Sequence, residues 1–192
     1  MTVFAFGGIV PVVDPTSFVH PTAVLTGDVF VGSRCYIGPG ASLRGDLGRI
    51  VVGDGSNVQD NCVIHTFPGE ETMIGPDGHI GHGVILHGCR LMENVLVGMN
   101  AVVMDGALIG ESSVVAAMAC VKSRFEVPPR TLVAGIPAKI VKSLDDAAIA
   151  AKRAGTRLYQ RLAERSLATS REVAPLTEAD VARRDLRHPR DV

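Results

Sequence analysis

The sequence predicts an all-β fold: a parallel β-helix of hexapeptide repeats, closed by a C-terminal α-helix. Three observations predict it. Aliphatic residues recur every six positions along most of the chain. The next residue is often glycine, as at Gly32, Gly38, Gly53, Gly81, Gly98 and Gly110. The chain is 46% hydrophobic yet only 4% aromatic, with no tryptophan, which suits a narrow core of Val and Ile. Helices repeat every 3.6 residues and strands every 2, so a period of six fits neither. It fits a coil with flat stacked walls, each repeat start pointing inward.

Residues 1–12 form an N-terminal segment before the repeat. The step starts at Val13 and holds through Val19, Leu25, Val31, Ile37 and Leu43. It resumes at Val52, Val58 and Ile64, at Ile80 and Leu86, and at Val97, Val103, Ile109, Val115 and Val121. The β-helix is assigned to residues 13–141, with glycines and other small residues serving its tight corners. Three slips interrupt the step. Leu43 to Val52 has three residues too many, and Ile64 to Ile80 four, assigned to a loop within Thr66–His79. Leu86 to Val97 is one residue short, which implies a tightened corner. After Val121 the pattern fades, and Gly135-Ile136-Pro137-Ala138-Lys139 is an exit turn. Ser143 followed by Asp146 reads as a capping box. The helix is assigned to residues 142–168, with Leu144, Ile149, Leu158, Tyr159 and Leu162 on its packed face and Gly155 marking a break. Residues 169–192 are a charged tail with a short helix from Thr177.

A net charge of −1 gives no electrostatic case for nucleic acid or an anionic membrane. No apolar run approaches the ~18 residues of a membrane helix. Met1 to Pro15 lacks the charged and apolar regions of a signal peptide. Cys35, Cys62, Cys89 and Cys120 show no CxxC spacing, and they read as reduced packing residues of a cytoplasmic protein.

The slips fix where polar side chains stack. Three hexads make one turn, so with the insertions removed residues eighteen apart share a wall. Arg44, His65 and His87 then form one column, each just after a repeat start. Asp60 and His82 form a second column on a different wall, with Gln59 beside it. Rungs lie about 4.8 Å apart, close enough for two imidazoles to share an ion. His82 cannot converge on that pair within one chain, because two walls of a convex prism face apart. A neighbour presenting its second wall to the first resolves this, and closed cyclic symmetry repeats the contact. The expectation is a homotrimer with a site of two histidines plus one at each subunit interface. Three neutral imidazoles and an open position match a catalytic Zn2+ site, and histidine also suits Fe2+ or Co2+. A polar trimer contact without metal is the alternative. His20, His79 and His188 have no comparable partners and read as solvated or turn residues.

Several motifs carry a family resemblance: Arg44-Gly45-Asp46, Asn57-Val58-Gln59-Asp60-Asn61, His65, and Gly81-His82 with His87-Gly88. From about Pro11 to Val141 the chain resembles the γ-class carbonic anhydrase-like family of left-handed β-helix proteins. The strings SFVHPTAVL, ASLRGDLGRIVV, DGHIGHGVILHGC and LVGMNAVVMDGA look closer still to two branches of it, the phenylacetic acid degradation proteins and the carnitine operon proteins. The resemblance implies a left-handed coil. It implies that His65 and His87 bind the metal from one subunit and His82 from the next. Arg44 and Asp60 would pair across that contact, with Asp46 in the same network. Gln59 would orient a water beside the metal, and Tyr159 would lie near the pocket. Glu70 and Glu71, in the loop after His65, read as solvated carboxylates rather than proton shuttles. The implied activity is acyl-coenzyme A thioester hydrolysis in phenylacetate catabolism, with carbon dioxide hydration to bicarbonate as the alternative on the same site. Further alternatives are a hexapeptide acyltransferase, which uses one histidine base and no metal, and an accessory protein without catalysis.

Overall fold

The computed structural model describes residues 2–178. The chain winds into a left-handed parallel β-helix of about seven turns. Each turn contributes one short strand to each of three walls. The first wall stacks Val24–Val31, Ser42–Val52, Val63–His65, Ile85–His87, Val102–Val103 and Cys120–Val121 in parallel. The second runs through Glu71–Ile74, Arg90–Leu91, Leu108–Ile109 and Glu126–Val127. The third runs from Phe18–Val19 through Asn57–Val58 and His79–Ile80 to Thr131–Gly135. The repeat starts point inward as their period requires: Leu25, Ile37, Leu43, Ile64, Ile80, Leu86 and Ile109 are fully buried. The step also continues past its apparent end, since Val127 and Val133 are buried core residues. At the other end Thr2–Phe4 pairs in parallel with the first wall, so coil-like pairing begins ahead of Val13.

The glycines after the repeat starts have a different cause from the one expected. Gly32, Gly38, Gly53, Gly81, Gly98 and Gly110 are not among the positive-φ residues. They are small because the next coil's backbone lies against them: a Cβ on Gly81 would stand 2.9 Å from the Met99 nitrogen. The left-handed corner conformation falls three residues after a repeat start, where Asn61, Asn94, Asn100, Ser112, Arg124 and Arg130 adopt φ of 55–58°. Asparagine tolerates that region better than most side chains.

The three slips converge on one corner, between the first and second walls. The extra residues after Leu43 are absorbed by the long strand Ser42–Val52, whose register shifts against Val24–Val31. Those after Ile64 form a loop that ends where Glu71 opens a strand. The short step after Leu86 turns at Gly88, with φ 55°.

The coil ends in an antiparallel hairpin, Thr131–Gly135 against Ala138–Ser143, with the exit turn between them. A 24-residue helix, α1 (Asp146–Thr169), follows. Its cap differs from the expected one. Ser143 pairs with Thr131 in the hairpin, and Asp145 caps instead, accepting from the Ala148 nitrogen at 2.8 Å. Gly155 does not break the helix; a Cβ there would stand 4.0 Å from His79 Cε1, an ordinary contact. The packed face also differs: Ile149, Lys152, Thr156, Ala163 and Ser166 are buried, whereas Leu158 is exposed. Residues 170–178 carry no helix or strand, and most of the tail helix expected from Thr177, like His188, lies outside the described residues. Among the described residues no helix is long and apolar enough to cross a membrane.

Candidate functional site

The strands of the first wall set the histidine pair. His65 and His87 are register partners on adjacent strands, each just after a buried Ile64 or Leu86 that anchors the backbone. Their rings approach so that His65 Nδ1 lies 3.2 Å from His87 Nε2. The outward nitrogens are held by carboxylates: His65 Nε2 meets Asp46 Oδ1 at 3.0 Å, and His87 Nδ1 meets Asp105. A carboxylate accepts only, so each outer nitrogen keeps the ring proton. In a pair of neutral imidazoles the two facing nitrogens are then both lone pairs. That is a donor set for a cation. Two ligands about 2.0–2.1 Å from one tetrahedral ion stand about 3.3 Å apart, close to the observed separation.

The second column has the same design. His82 Nδ1 lies 2.7 Å from Asp60 Oδ2, which leaves Nε2 as the lone pair on a half-exposed ring. Both residues occupy the turn between the third and first walls, not a wall face. Among the described residues, no group of three His, Cys, Asp or Glu within the chain is arranged to hold a metal ion. The pair on the first wall offers two donors and His82 a separate third.

Arg44 donates to Asp46 Oδ2 at 2.7 Å. Burial acts to raise the Asp46 carboxyl, but the hydrogen bonds from Arg44 and His65 and the Arg44 charge outweigh it and hold it below the usual carboxylate range. Within the chain Arg44 thus pairs with Asp46, and Asp60 pairs with His82. Phe67 stands edge-on to the His87 ring, with centroids 4.8 Å apart, and walls that side of the pair. Glu71 opens the next strand and pairs with Arg90 at 3.6 Å; Glu70 is exposed.

Gln59 and Tyr159 both contact His79 on the third wall. Gln59 is 3% exposed, and its amide donates to Asn57 Oδ1 and to His79 Nε2, both at 2.9 Å. Tyr159 packs edge-on to His79 and to Tyr36. Burial, then the charge of Asp60, pushes the Tyr159 phenol above its ordinary value, so it remains an O–H donor. His79 is not the solvated residue its sequence setting suggested. It is packed beneath α1, and burial, with smaller effects from Lys152 and His82, lowers its pKa to about 4.

Asp105 and Phe67 escaped the sequence reading. Asp105 is one residue beyond Met104, which takes the column position because the corner at Gly88 is one residue short. A plain count of eighteen from His87 lands on Asp105, whereas the register Leu86↔Val103 puts Met104 in the column. Phe67 carries no signal beyond its place after His65.

Stacked hexapeptide coils bearing carboxylate-backed histidines define a hexapeptide-repeat β-helix protein. No family model matches the chain. It is 50% identical over 192 residues to the carnitine operon protein CaiE of Escherichia coli K12, covering 100% of this chain and 98% of that one. It is 48% identical over 192 residues to CaiE of a Proteus species, again covering 100% and 98%. The chain belongs to the CaiE family of hexapeptide-repeat proteins. Among solved structures, a hexapeptide transferase family protein from Anaplasma phagocytophilum superposes with a TM-score of 0.82 at 38% identity, covering 84% of this chain and 96% of that one. A hexapeptide-repeat acetyltransferase from Vibrio cholerae, complexed with acetyl coenzyme A, matches with a TM-score of 0.54 at 29% identity, over 60% of this chain and 71% of that one.

Proposed function

We propose that this protein is a metal-dependent hydrolase of the γ-class carbonic anhydrase type, acting on an acyl-coenzyme A thioester. One observation carries the proposal: three histidines, His65, His82 and His87, each have one ring nitrogen tied to an aspartate and the other left as a lone pair. Carboxylate-backed histidine is the arrangement that orients metal ligands and raises their basicity. In this reading His65 and His87 of one subunit and His82 of the next hold Zn2+, Fe2+ or Co2+ at the interfaces of a homotrimer. The bound ion supplies a water of pKa ~7 and a Lewis acid for a carbonyl. The chain's own residues do the rest. Gln59 has its amide N–H groups committed to Asn57 and His79, which leaves its carbonyl oxygen to accept a hydrogen bond from a water and aim it. Tyr159, neutral at physiological pH, donates its O–H to the substrate carbonyl or the departing group. Phe67 excludes water from one side of His87. Carbon dioxide hydration is the competing reaction on the same groups.

A second reading has a specific basis. The named relatives and the acetyl coenzyme A complex favour an acyl-transfer or accessory role within the CaiE family, independent of metal. One experiment separates the readings: metal content and mass in solution, followed by thiol release from acyl-coenzyme A with and without a chelator. About one ion per chain in a trimer, with thiol release lost on chelation and in His82→Ala, supports hydrolysis. Acyl transfer or stimulation of a partner enzyme that survives chelation overturns it.

A further inference from the structure

A cavity of ≈ 210 Å³ lies between α1 and the corner that joins the second and third walls. None of His65, His82, His87, Gln59 or Tyr159 lines it. Three guanidinium groups do: Arg153 and Arg157 from α1, and Arg34 from the corner. Arg153 and Arg157 are four apart on one helix face, where like charges disfavour each other. None of the three forms an ion pair among the described residues. Asp77 is the one carboxylate in the lining, and its Oδ1 is already bonded by Gln160 Nε2 at 2.8 Å.

The floor is buried and polar. Asn94 is 0% and Thr156 1% exposed. Asn94 Oδ1 accepts from Lys152 Nζ at 2.7 Å, and the same ammonium donates to the Asp77 carbonyl. The Lys152 amine thus stands directly behind the lining. Gly55 makes room for the Gln160 and Asp77 side chains, which a Cβ there would strike. With three guanidiniums against one carboxylate, the lining carries a net charge of about +2, which complements the −1.5 to −2 of a phosphate group. Planar guanidinium forks match phosphate oxygens in pairs. A single carboxylate would satisfy only one such fork.

We propose that this cavity is a binding site for a phosphate group, borne by inorganic phosphate or by a phosphate monoester of a small molecule. Arg34, Arg153 and Arg157 grip the oxygens, over a floor held by Lys152, Asn94 and Thr156. The test is calorimetric titration of the full-length protein with inorganic phosphate and with adenosine 3′,5′-bisphosphate, at constant ionic strength. Saturable binding of either, weakened at least tenfold in Arg153→Gln/Arg157→Gln and in Arg34→Gln, supports the site. Tighter binding of the bisphosphate than of phosphate assigns the monoester source, and equal binding assigns the free anion. These arginines are exposed, so the variants are expected to melt like the wild type in phosphate-free buffer. Absence of saturable binding by the wild type, or binding unchanged in all the variants, overturns the proposal. Metal content of the same variants reads out the histidine site separately.

Discussion

Each of His65, His82 and His87 is told by an aspartate which nitrogen keeps its proton, and removing that instruction has a measurable consequence. Asp105→Asn leaves the side-chain volume intact but frees the His87 tautomer. It is expected to lower zinc affinity 10–100-fold, read by competition with a chromophoric chelator, with the melting curve of the metal-free protein unchanged. Near-native affinity would show that Asp105 is only a neighbour. His79 makes a different prediction. Its folded pKa, lowered to about 4 chiefly by burial, lies below the ~6.5 of the unfolded chain. Between those values the unfolded state binds more protons, so stability falls as pH drops from 6.5 to 4. His79→Gln should flatten that part of a denaturation-versus-pH profile. The phase of His65, His82 and His87 was legible because a six-residue period fixes direction. The burial of His79 was not, because a helix more than sixty residues downstream covers it.

At the scale of elements, α1 is held by polar contacts more than by an apolar stripe, which is why its packed face could not be read from its leucines. Lys152 is buried and bonded to Asn94 and the Asp77 carbonyl. Burial lowers its pKa to about 7, although the charges of Asp77 and Glu93 oppose this. The unfolded lysine titrates near 10.4, so the unfolded state again binds more protons between the two values. Stability is expected to rise from about pH 7 towards pH 10, and Lys152→Met should abolish that rise in a chemical-denaturation series. The cap gives a smaller effect. Asp145→Ala is expected to cost about 1 kcal/mol, read by the same method, whereas Ser143→Ala should cost less because its side chain caps nothing. Both residues fit a capping signature in sequence. The hairpin chose between them by drawing Ser143 into its ladder.

At the scale of the molecule, the proposed site is divided between copies, and a mixing experiment follows. Neither His82→Ala nor His65→Ala/His87→Ala should hydrolyse thioester alone. Refolded together in equal amounts, random trimers regain about a quarter of intact interfaces, and activity should return to that extent. No recovery would place all ligands within one chain. The coil itself was legible almost throughout, because one inward residue per wall is a strong constraint. Its two ends were not: Val127 and Val133 continue the step after the glycine signal stops, and Thr2–Phe4 joins the coil by backbone pairing alone.

The irregular steps all fall at one of the three corners, the one beside His65 and His87, while the other two keep their hexads from Val13 to Val133. The repeat therefore acts as a chassis with a single adjustable edge. Segments can lengthen or shorten there without shifting an inward residue or a neighbouring rung. A designer seeking a new substrate preference would rebuild residues 47–48 and 68–70, keep Asp46 and Phe67, and leave the remaining corners alone.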